Sequence, residues 1–114
     1  VEAWAANLSI AGMERKLAEL EIWIAALDGT AICWGAIRGD RLEGLYTDPE
    51  HAGRGVASEL LGLLEGVMQK RGVAAVHADA SVNAEAFYLR RGYVTAGART
   101  GDGARPITKR LSQK

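Results

Sequence analysis

The chain has 114 residues, 48% of them hydrophobic and 25% charged, which suits a single domain over residues 1–114 with one hydrophobic core. Fourteen basic residues balance fourteen acidic residues, so no overall electrostatic field would attract nucleic acid or an anionic membrane. Cys33 is the only cysteine, which excludes a disulfide framework and a CxxC pair, and no apolar run reaches the roughly 20 residues of a membrane span. The amino end lacks the pattern of a secretory signal, so we expect a cytoplasmic protein without nucleic-acid or membrane partners.

The first half of the chain is predicted to form a helix followed by an antiparallel meander. Residues 1–20 favour a helix, because Met13, Leu17 and Leu20 fall on one helical face. Segments rich in β-branched and aromatic residues then predict three strands, Glu21–Leu27, Thr30–Arg38 and Arg41–Thr47. Asp28-Gly29 and Gly39-Asp40 supply hairpin turns, and Asp48-Pro49 ends the third strand because proline has no N–H to donate.

The chain then changes to a helical period. Apolar residues recur from Val56 to Met68 as a wide helical stripe, and Arg71-Gly72 ends the helix. The apolar segment Val73–Ala80 is typical of a strand buried on both faces. A strand, helix and strand in this order make a right-handed crossover, so this strand should run parallel to the one ending at Thr47.

The remaining elements are short. A helix, AEAFYLRR, is predicted to follow the capping candidates Ser81 and Asn83 and to end at Gly92. Two final strands, YVTAGAR and PITKRL, flank a turn at residues 101–103. Together the elements predict an α/β (α+β) fold with a mixed, mainly antiparallel twisted sheet flanked by helices. The spread of the tryptophans over a helix and two strands favours core packing, and leaves open that one lies near an acceptor: Trp4, Trp23 and Trp34.

The stretch DPEHAGRGVASELL, residues 48–61, places two glycines where a helix must begin. Free N–H groups and the positive end of the helix dipole make a helix start an anion site, and glycine lets a ligand approach the backbone. Gly53 and Gly55 provide that freedom, and Arg54 adds a cation. Taken alone, the two glycines are explained more simply by a sharp bend. The Walker pattern is absent, and the Rossmann pattern would need glycine in place of Ser58.

The wider context resembles the GNAT superfamily of acyl-CoA-dependent N-acetyltransferases. An antiparallel meander leads into LYTDPEHAGRGVASELL, and SVNAEAFYLRRGYV follows after one more strand. The first segment is similar to the family's acetyl-CoA motif, [QR]-x-x-G-x-[GA], with residues 52–57 reading AGRGVA. The second is similar to its Asn-x-x-Ala-x-x-Tyr neighbourhood, with Asn83, Ala86 and Tyr88. The resemblance runs from about Trp4 to Leu111 and implies the GNAT-like acyl-CoA N-acyltransferase fold.

The resemblance implies that acetyl-CoA is the donor substrate. In the family, the strand before the motif splays open, pairs with pantetheine and polarises the thioester carbonyl through a backbone amide. Here that role falls to Leu45, Tyr46 and Thr47. The pyrophosphate would lie on a backbone cradle of five residues, Gly53, Arg54, Gly55, Val56 and Ala57.

Catalytic roles also follow from the resemblance. Tyr88 is the candidate general acid for the departing thiolate, since a phenol with a pKa near ~10 is protonated at neutral pH, and simple aromatic packing stays open. Glu43 is the best candidate base, although an ordinary exposed strand carboxylate is the simpler interpretation. Asp79 or Glu50 could serve instead. Asn83 caps its helix, contacts pantetheine, or does both.

The implied function is an N-acetyltransferase that moves an acetyl group from acetyl-CoA to a primary amine of a small molecule or peptide. Direct attack in a ternary complex is expected, because Cys33 lies outside the motifs. His51 and His77 lack further ligands nearby in sequence, so we expect no metal. The alternatives are a catalytically silent acyl-CoA-binding or interaction module and a nucleotide-phosphate binder.

Two features depart from the family pattern. Ala52 stands where Gln or Arg is usual, which removes a side chain that would brace the loop. The family's first strand has no counterpart among the predicted elements. A second copy of the chain could complete the open sheet edge, so a homodimer is plausible.

Overall fold

The computed structural model describes residues 8–15 and 20–111, with side chains for 8–12 and 20–111. Within these residues, seven strands form one sheet in the order β1-β2-β3-β4-β5-β7-β6. The strands are β1 Leu8–Arg15, β2 Leu20–Leu27, β3 Thr30–Arg38, β4 Arg41–Thr47, β5 Ala75–Ala80, β6 Val94–Thr95 and β7 Arg105–Arg110. The helices are α1 Val56–Lys70 and α2 Glu85–Leu89, and a 3-10 turn spans Pro49–His51. The β4–β5 pair is parallel and the others are antiparallel, which confirms the predicted mixed sheet.

The meander from β2 to β4 follows its predicted bounds closely. Asp28 and Gly29 both have left-handed backbone angles, with φ of 51° and 82°. This is the two-residue turn that matches the twist of hairpin strands, and it explains why the Asp-Gly signal located the turn correctly.

The helix predicted over residues 1–20 is wrong in the described part. Residues 8–15 form β1, which pairs antiparallel with β2 from Leu8 opposite Leu27 to Arg15 opposite Leu20. Hydrogen bonding to the open edge of β2 overrides a weak helical preference. This strand also corrects the expectation that no first strand precedes the meander. Trp4 and Leu17 lie outside the described residues.

Strand β5 also differs from its prediction. Val76, Ala78 and Ala80 are buried, whereas His77 and Asp79 are exposed, so the strand is not buried on both faces. Within the described part of the chain, α1 and α2 pack on the same face of the sheet, and only that side of β5 is covered. Small alanine side chains concealed the alternation in the sequence.

We call the side of the sheet that carries α1 and α2 the helix face, and the opposite side the outer face. A Cβ built on Gly35 of β3 would lie 2.7 Å from Leu64 of α1, so Gly35 is on the helix face and lets the helix approach closely. Trp23 lies opposite Gly35 and packs against the core, as predicted. Trp34 neighbours Gly35 and therefore points to the outer face, where it is 42% exposed. The core-packing prediction is wrong for Trp34.

The carboxyl end of α1 is joined to β2 by an ion pair. Arg71 donates two hydrogen bonds to Glu21, of 2.7 and 3.1 Å, and the Trp23 indole N–H donates a third of 2.8 Å. The hydrogen bonds from Arg71 lower the pKa of Glu21 from its usual value, against the opposing effect of burial.

In the described part of the chain, no helix is long and apolar enough to cross a membrane.

Candidate functional site

Strands β4 and β5 separate after only two residue pairs. Arg41 lies opposite His77 and Leu42 opposite Ala78, but residues 44–47 pair only with β3 among the described strands. The register between β3 and β4 shifts at this point, because Ala36 pairs with residue 44 and the next residue of β3 pairs with Leu42. Glu43 is the extra residue of this bulge, which bends β4 away from its neighbour. Beyond Leu42, β4 therefore presents an edge that no described strand occupies, as an acyl-CoA site requires.

The start of α1 provides unpaired N–H groups beside the end of β4. Gly53 and Gly55 have φ of 84° and 86°, and a Cβ built on either one meets no atom within 4 Å. Glycine is thus explained at both positions, because the backbone there is left-handed and faces open space. Glu59 N–H donates to Gly55 O at 3.0 Å, so the N–H groups of residues 56–58 precede the first hydrogen bond of the helix.

A cleft of about 430 Å³ opens above this helix start. It contains five of the residues predicted to bind the donor: Thr47, Gly53, Gly55, Val56 and Ala57. The other lining residues are Ala52, Ser58, Phe87, Arg90 and Arg91. Arg54 lies between the two lining glycines and is exposed. Because Thr47 is both a cleft residue and the last residue of β4, the cleft reaches the end of the strand that separates from β5.

Arg91 is a cleft residue that the sequence analysis missed. Its Nε donates to Ser58 Oγ at 3.0 Å, its Nη1 donates to Phe87 O at 2.8 Å, and its guanidinium lies 3.8 Å from the centre of the Phe87 ring. These three contacts hold a planar cation next to the third residue of α1, where an anion on the helix start would meet it. A signal was available, since the second arginine of AEAFYLRR stands four residues after Phe87, one helical turn away.

Tyr88 lies in the core beneath the cleft wall. It is 7% exposed and makes edge-to-face contacts with Phe87 and Tyr93, with ring centres 5.2 and 5.3 Å away. Burial raises the pKa of Tyr88 to about 12, so the phenol keeps its proton at neutral pH. Its catalytic role stays a prediction.

Tyr93 anchors a polar network between α1 and β7. Its hydroxyl donates to Glu65 at 2.8 Å, and Lys109 Nζ donates to the other Glu65 oxygen at 2.9 Å. Burial, together with the Glu65 charge and this hydrogen bond, raises the pKa of Tyr93. The network fixes the residues that follow α2 and so supports the position of Arg91.

Glu43 lies at the start of the gap, on the outer face of the sheet. Its carboxylate forms an ion pair with Arg38 Nε at 3.2 Å, and the side chain is 28% exposed. Asp79, the alternative base on β5, pairs with Arg41 at 2.9 Å. The structure therefore does not bring the two predicted catalytic residues together, because Tyr88 belongs to the core of the helix face.

Asn83 is not the capping residue of α2. Ser81 Oγ accepts the hydrogen bond from Ala84 N–H at 3.3 Å, and Asn83 is exposed. The N–H groups of Ala84 and Glu85 donate to the backbone carbonyl of Ser81, and Ala84 itself is the N-cap residue of α2. The contact of Asn83 with pantetheine stays a prediction.

The two histidines pair with aspartates. His51 Nδ1 lies 3.2 Å from Asp48, whose other carboxylate oxygen accepts from Glu50 N–H, and His77 lies 3.8 Å from Asp40. Within residues 8–15 and 20–111, no three His, Cys, Asp or Glu side chains form a group of metal ligands. The expectation about metals stays a prediction.

The chain is similar to known acetyltransferases in sequence and in fold. The sequence model of the Acetyltransferase (GNAT) domain matches residues 1–105. The uncharacterized N-acetyltransferase YafP of Escherichia coli (strain K12) is 30% identical over 95 residues, which cover 83% of this chain and 59% of that protein. A crystal structure of a GCN5-related N-acetyltransferase from Rhodopseudomonas palustris is 30% identical, with a TM-score of 0.75 over 84% of this chain and 64% of that one.

The PaiA N-acetyltransferase of Thermoplasma acidophilum, solved in complex with coenzyme A, is similar in fold. It is 21% identical with a TM-score of 0.70, over 80% of this chain and 60% of that one. The chain thus spans less than two thirds of the length of each of these three relatives. The predicted fold is confirmed, and the chain belongs to the GNAT family of acetyltransferases.

Proposed function

We propose that the protein transfers an acetyl group from acetyl-CoA to a primary amine of a small molecule or peptide, by direct attack in a ternary complex. The observation that carries this proposal is that Thr47 both lines the cleft at the helix start and ends β4, the strand that pairs with β5 only at Arg41 and Leu42. An anion site at a helix start thus lies next to a strand edge that no other described strand occupies. A nucleotide-phosphate site would need the first feature but not the second.

The residues present fit acetyl-CoA as donor. Its pyrophosphate would accept hydrogen bonds from the N–H groups of residues 55–58, with Arg54 and Arg91 as cations. Pantetheine would pair with the open edge of Leu45, Tyr46 and Thr47 as an added strand. One N–H group of that edge would polarise the thioester carbonyl, a type of contact worth about 3 kcal/mol in the transition state.

The chemical step then balances without a covalent enzyme intermediate. The amine lone pair attacks the carbonyl carbon, the C–S bond breaks, and its electron pair leaves on sulfur. The amine gives up a proton to Glu43 or to water. Tyr88, which keeps its proton because burial raises its pKa to about 12, is the general acid that protonates the leaving thiolate.

Acetyl-CoA binding and turnover test the proposal together. Calorimetry should detect saturable acetyl-CoA binding, and a thiol reagent should detect free CoA when an amine is added. Gly55→Ala should weaken binding about tenfold or more, because Gly55 lines the cleft with a left-handed backbone, and an alanine strained there by about 1–2 kcal/mol would shift the N–H groups of the cradle. Gly72→Ala is the matched control, because Gly72 has the same left-handed backbone and open space but follows the carboxyl end of α1.

Each result has a defined meaning. The absence of acetyl-CoA binding to the folded protein would contradict the proposed function. Binding without thiol release from any amine would instead favour the catalytically silent acyl-CoA-binding module.

A further inference from the structure

We propose that the amine acceptor binds on the outer face of the sheet against Trp34 and Tyr46, and that it is a small monoamine with a flat apolar body. The inference rests on the proposed function, because it names the acceptor of that reaction. It depends on an exposed aromatic pair, its position beside the gap, and the balanced charges around it.

The direction of approach follows from the topology. The cleft over the start of α1 lies on the helix face, so the donor enters the gap from that side. An attacking amine needs a path to the carbonyl carbon that the donor does not fill. The outer face provides this path at residues 43–47, where β4 has left β5.

Two aromatic side chains lie on the β3–β4 side of this opening. Trp34 and Tyr46 lie directly opposite each other on β3 and β4, with ring centres 6.2 Å apart and planes inclined by 29°. They are 42% and 51% exposed, which is unusual for two neighbouring large aromatic residues. Together they form a continuous apolar surface, which we call the aromatic platform.

Gly44 positions the aromatic platform next to the gap. A Cβ built on Gly44 would lie 3.1 and 3.3 Å from two atoms of the Trp34 ring, so the indole covers the backbone of Gly44. Gly44 is the residue after the bulge, where β4 begins to separate from β5. The indole thus lies over the residue that precedes Leu45–Thr47, the segment that we expect to face the thioester.

The charges around the aromatic platform argue against a highly charged acceptor. The charged side chains beside the opening on β3, β4 and β5 form opposite pairs, Arg38 with Glu43 and Arg41 with Asp79. These pairs largely cancel, so a polycation or polyanion gains little from the local field. A flat apolar group gains contact area and stacking on the rings, and a single ammonium gains a cation–π contact.

A panel of four primary amines tests the acceptor class. The probes are 2-phenylethylamine, propylamine as the same amine without a ring, spermidine as a polycation, and glutamate as an anion. Free-thiol release should give the highest kcat/KM for 2-phenylethylamine. The ratio of kcat/KM for 2-phenylethylamine to kcat/KM for propylamine should fall about tenfold in Trp34→Ala, the amount expected for the loss of one aromatic contact. In Trp34→Phe this ratio should fall less.

Val94→Ala is the matched control, because Val94 is also exposed, at 58%, but lies on the edge strand β6. In this variant, the ratio of kcat/KM for 2-phenylethylamine to kcat/KM for propylamine should equal that of the unaltered protein. A preference for spermidine or glutamate would overturn the proposal, as would an unchanged ratio in a folded Trp34→Ala protein.

A binding measurement separates this inference from the proposed function. In ¹H–¹⁵N spectra, 2-phenylethylamine should shift the Trp34 indole N–H and the Gly44 amide, whether or not turnover occurs. Such shifts without thiol release from any amine would support the aromatic platform while the proposed function fails. Thiol release with no shift at these two groups would overturn the platform and leave the proposed function intact.

Discussion

Replacing Arg91 with alanine is expected to weaken acetyl-CoA binding by about 10- to 100-fold. A hydrogen bond to a charged group contributes about 1.5–3 kcal/mol, which corresponds to this range of Kd. The guanidinium is already held by Ser58 Oγ, Phe87 O and the Phe87 ring, so little side-chain entropy is lost when a phosphate binds. The full contribution should therefore appear in the measured affinity.

Calorimetry of four variants checks this reasoning. Arg91→Lys keeps the charge but loses the planar fork, so its affinity should be intermediate. Ser58→Ala removes only the hydroxyl that orients Nε and should cost less than Arg91→Ala. Arg110→Ala is the control, because this exposed arginine lies at the end of β7 and does not line the cleft.

Dephospho-CoA, which lacks the 3′-phosphate, identifies the phosphate that Arg91 contacts. An equal loss of affinity for CoA and dephospho-CoA in Arg91→Ala assigns Arg91 to the pyrophosphate, as its contact with Ser58 predicts. A loss confined to CoA assigns it to the 3′-phosphate. An affinity within twofold of the unaltered protein, in a variant with unchanged thermal stability, would refute the role of Arg91.

Three further predictions concern catalysis and stability. Tyr88→Phe should lower kcat by about 100-fold while the Kd of acetyl-CoA stays within twofold, and an unchanged kcat in the thiol assay would remove Tyr88 from the mechanism. Gly66→Ala should stabilise the protein by about 0.5–1 kcal/mol in urea unfolding, because Gly66 lies inside α1 and a built Cβ meets no atom within 4 Å. The phenol of Tyr93 ionises near pH ~10 when unfolded but keeps its proton when folded, so the free energy of unfolding should fall above pH ~10 by up to about 1.4 kcal/mol per unit. Thermal unfolding from pH 8 to 11 should show this slope, and Tyr93→Phe should make it shallower; an identical slope would contradict the assignment.

The sequence predicted the parts of the fold that local signals determine. The Asp28-Gly29 turn located the first hairpin, and the stripe from Val56 to Met68 located α1. Strand β1 was missed because LSIAGMER mixes helix and strand formers, and its conformation depends on the edge of β2 rather than on its own residues. Contacts between distant segments leave no such local pattern.

The candidate site also has a part that local sequence predicts and a part that it does not. The glycine cradle could be predicted because left-handed backbone at a helix start requires Gly53 and Gly55. Arg91 was missed because its main partner, Ser58, is 33 residues away in the chain. The exposure of Trp34 was missed because aromatic residues on strands usually pack in the core, whereas the contact of Gly35 with α1 places the neighbouring Trp34 on the outer face.

A crystal structure of the complex with CoA tests the central claim most directly. We predict that the pyrophosphate lies within hydrogen-bond distance of the N–H groups of residues 55–58 and of Arg91. We also predict that pantetheine runs along the open edge of Leu45–Thr47, with its thiol at the gap between β4 and β5. CoA bound away from the cleft, or an empty cleft at saturating CoA, would contradict the account.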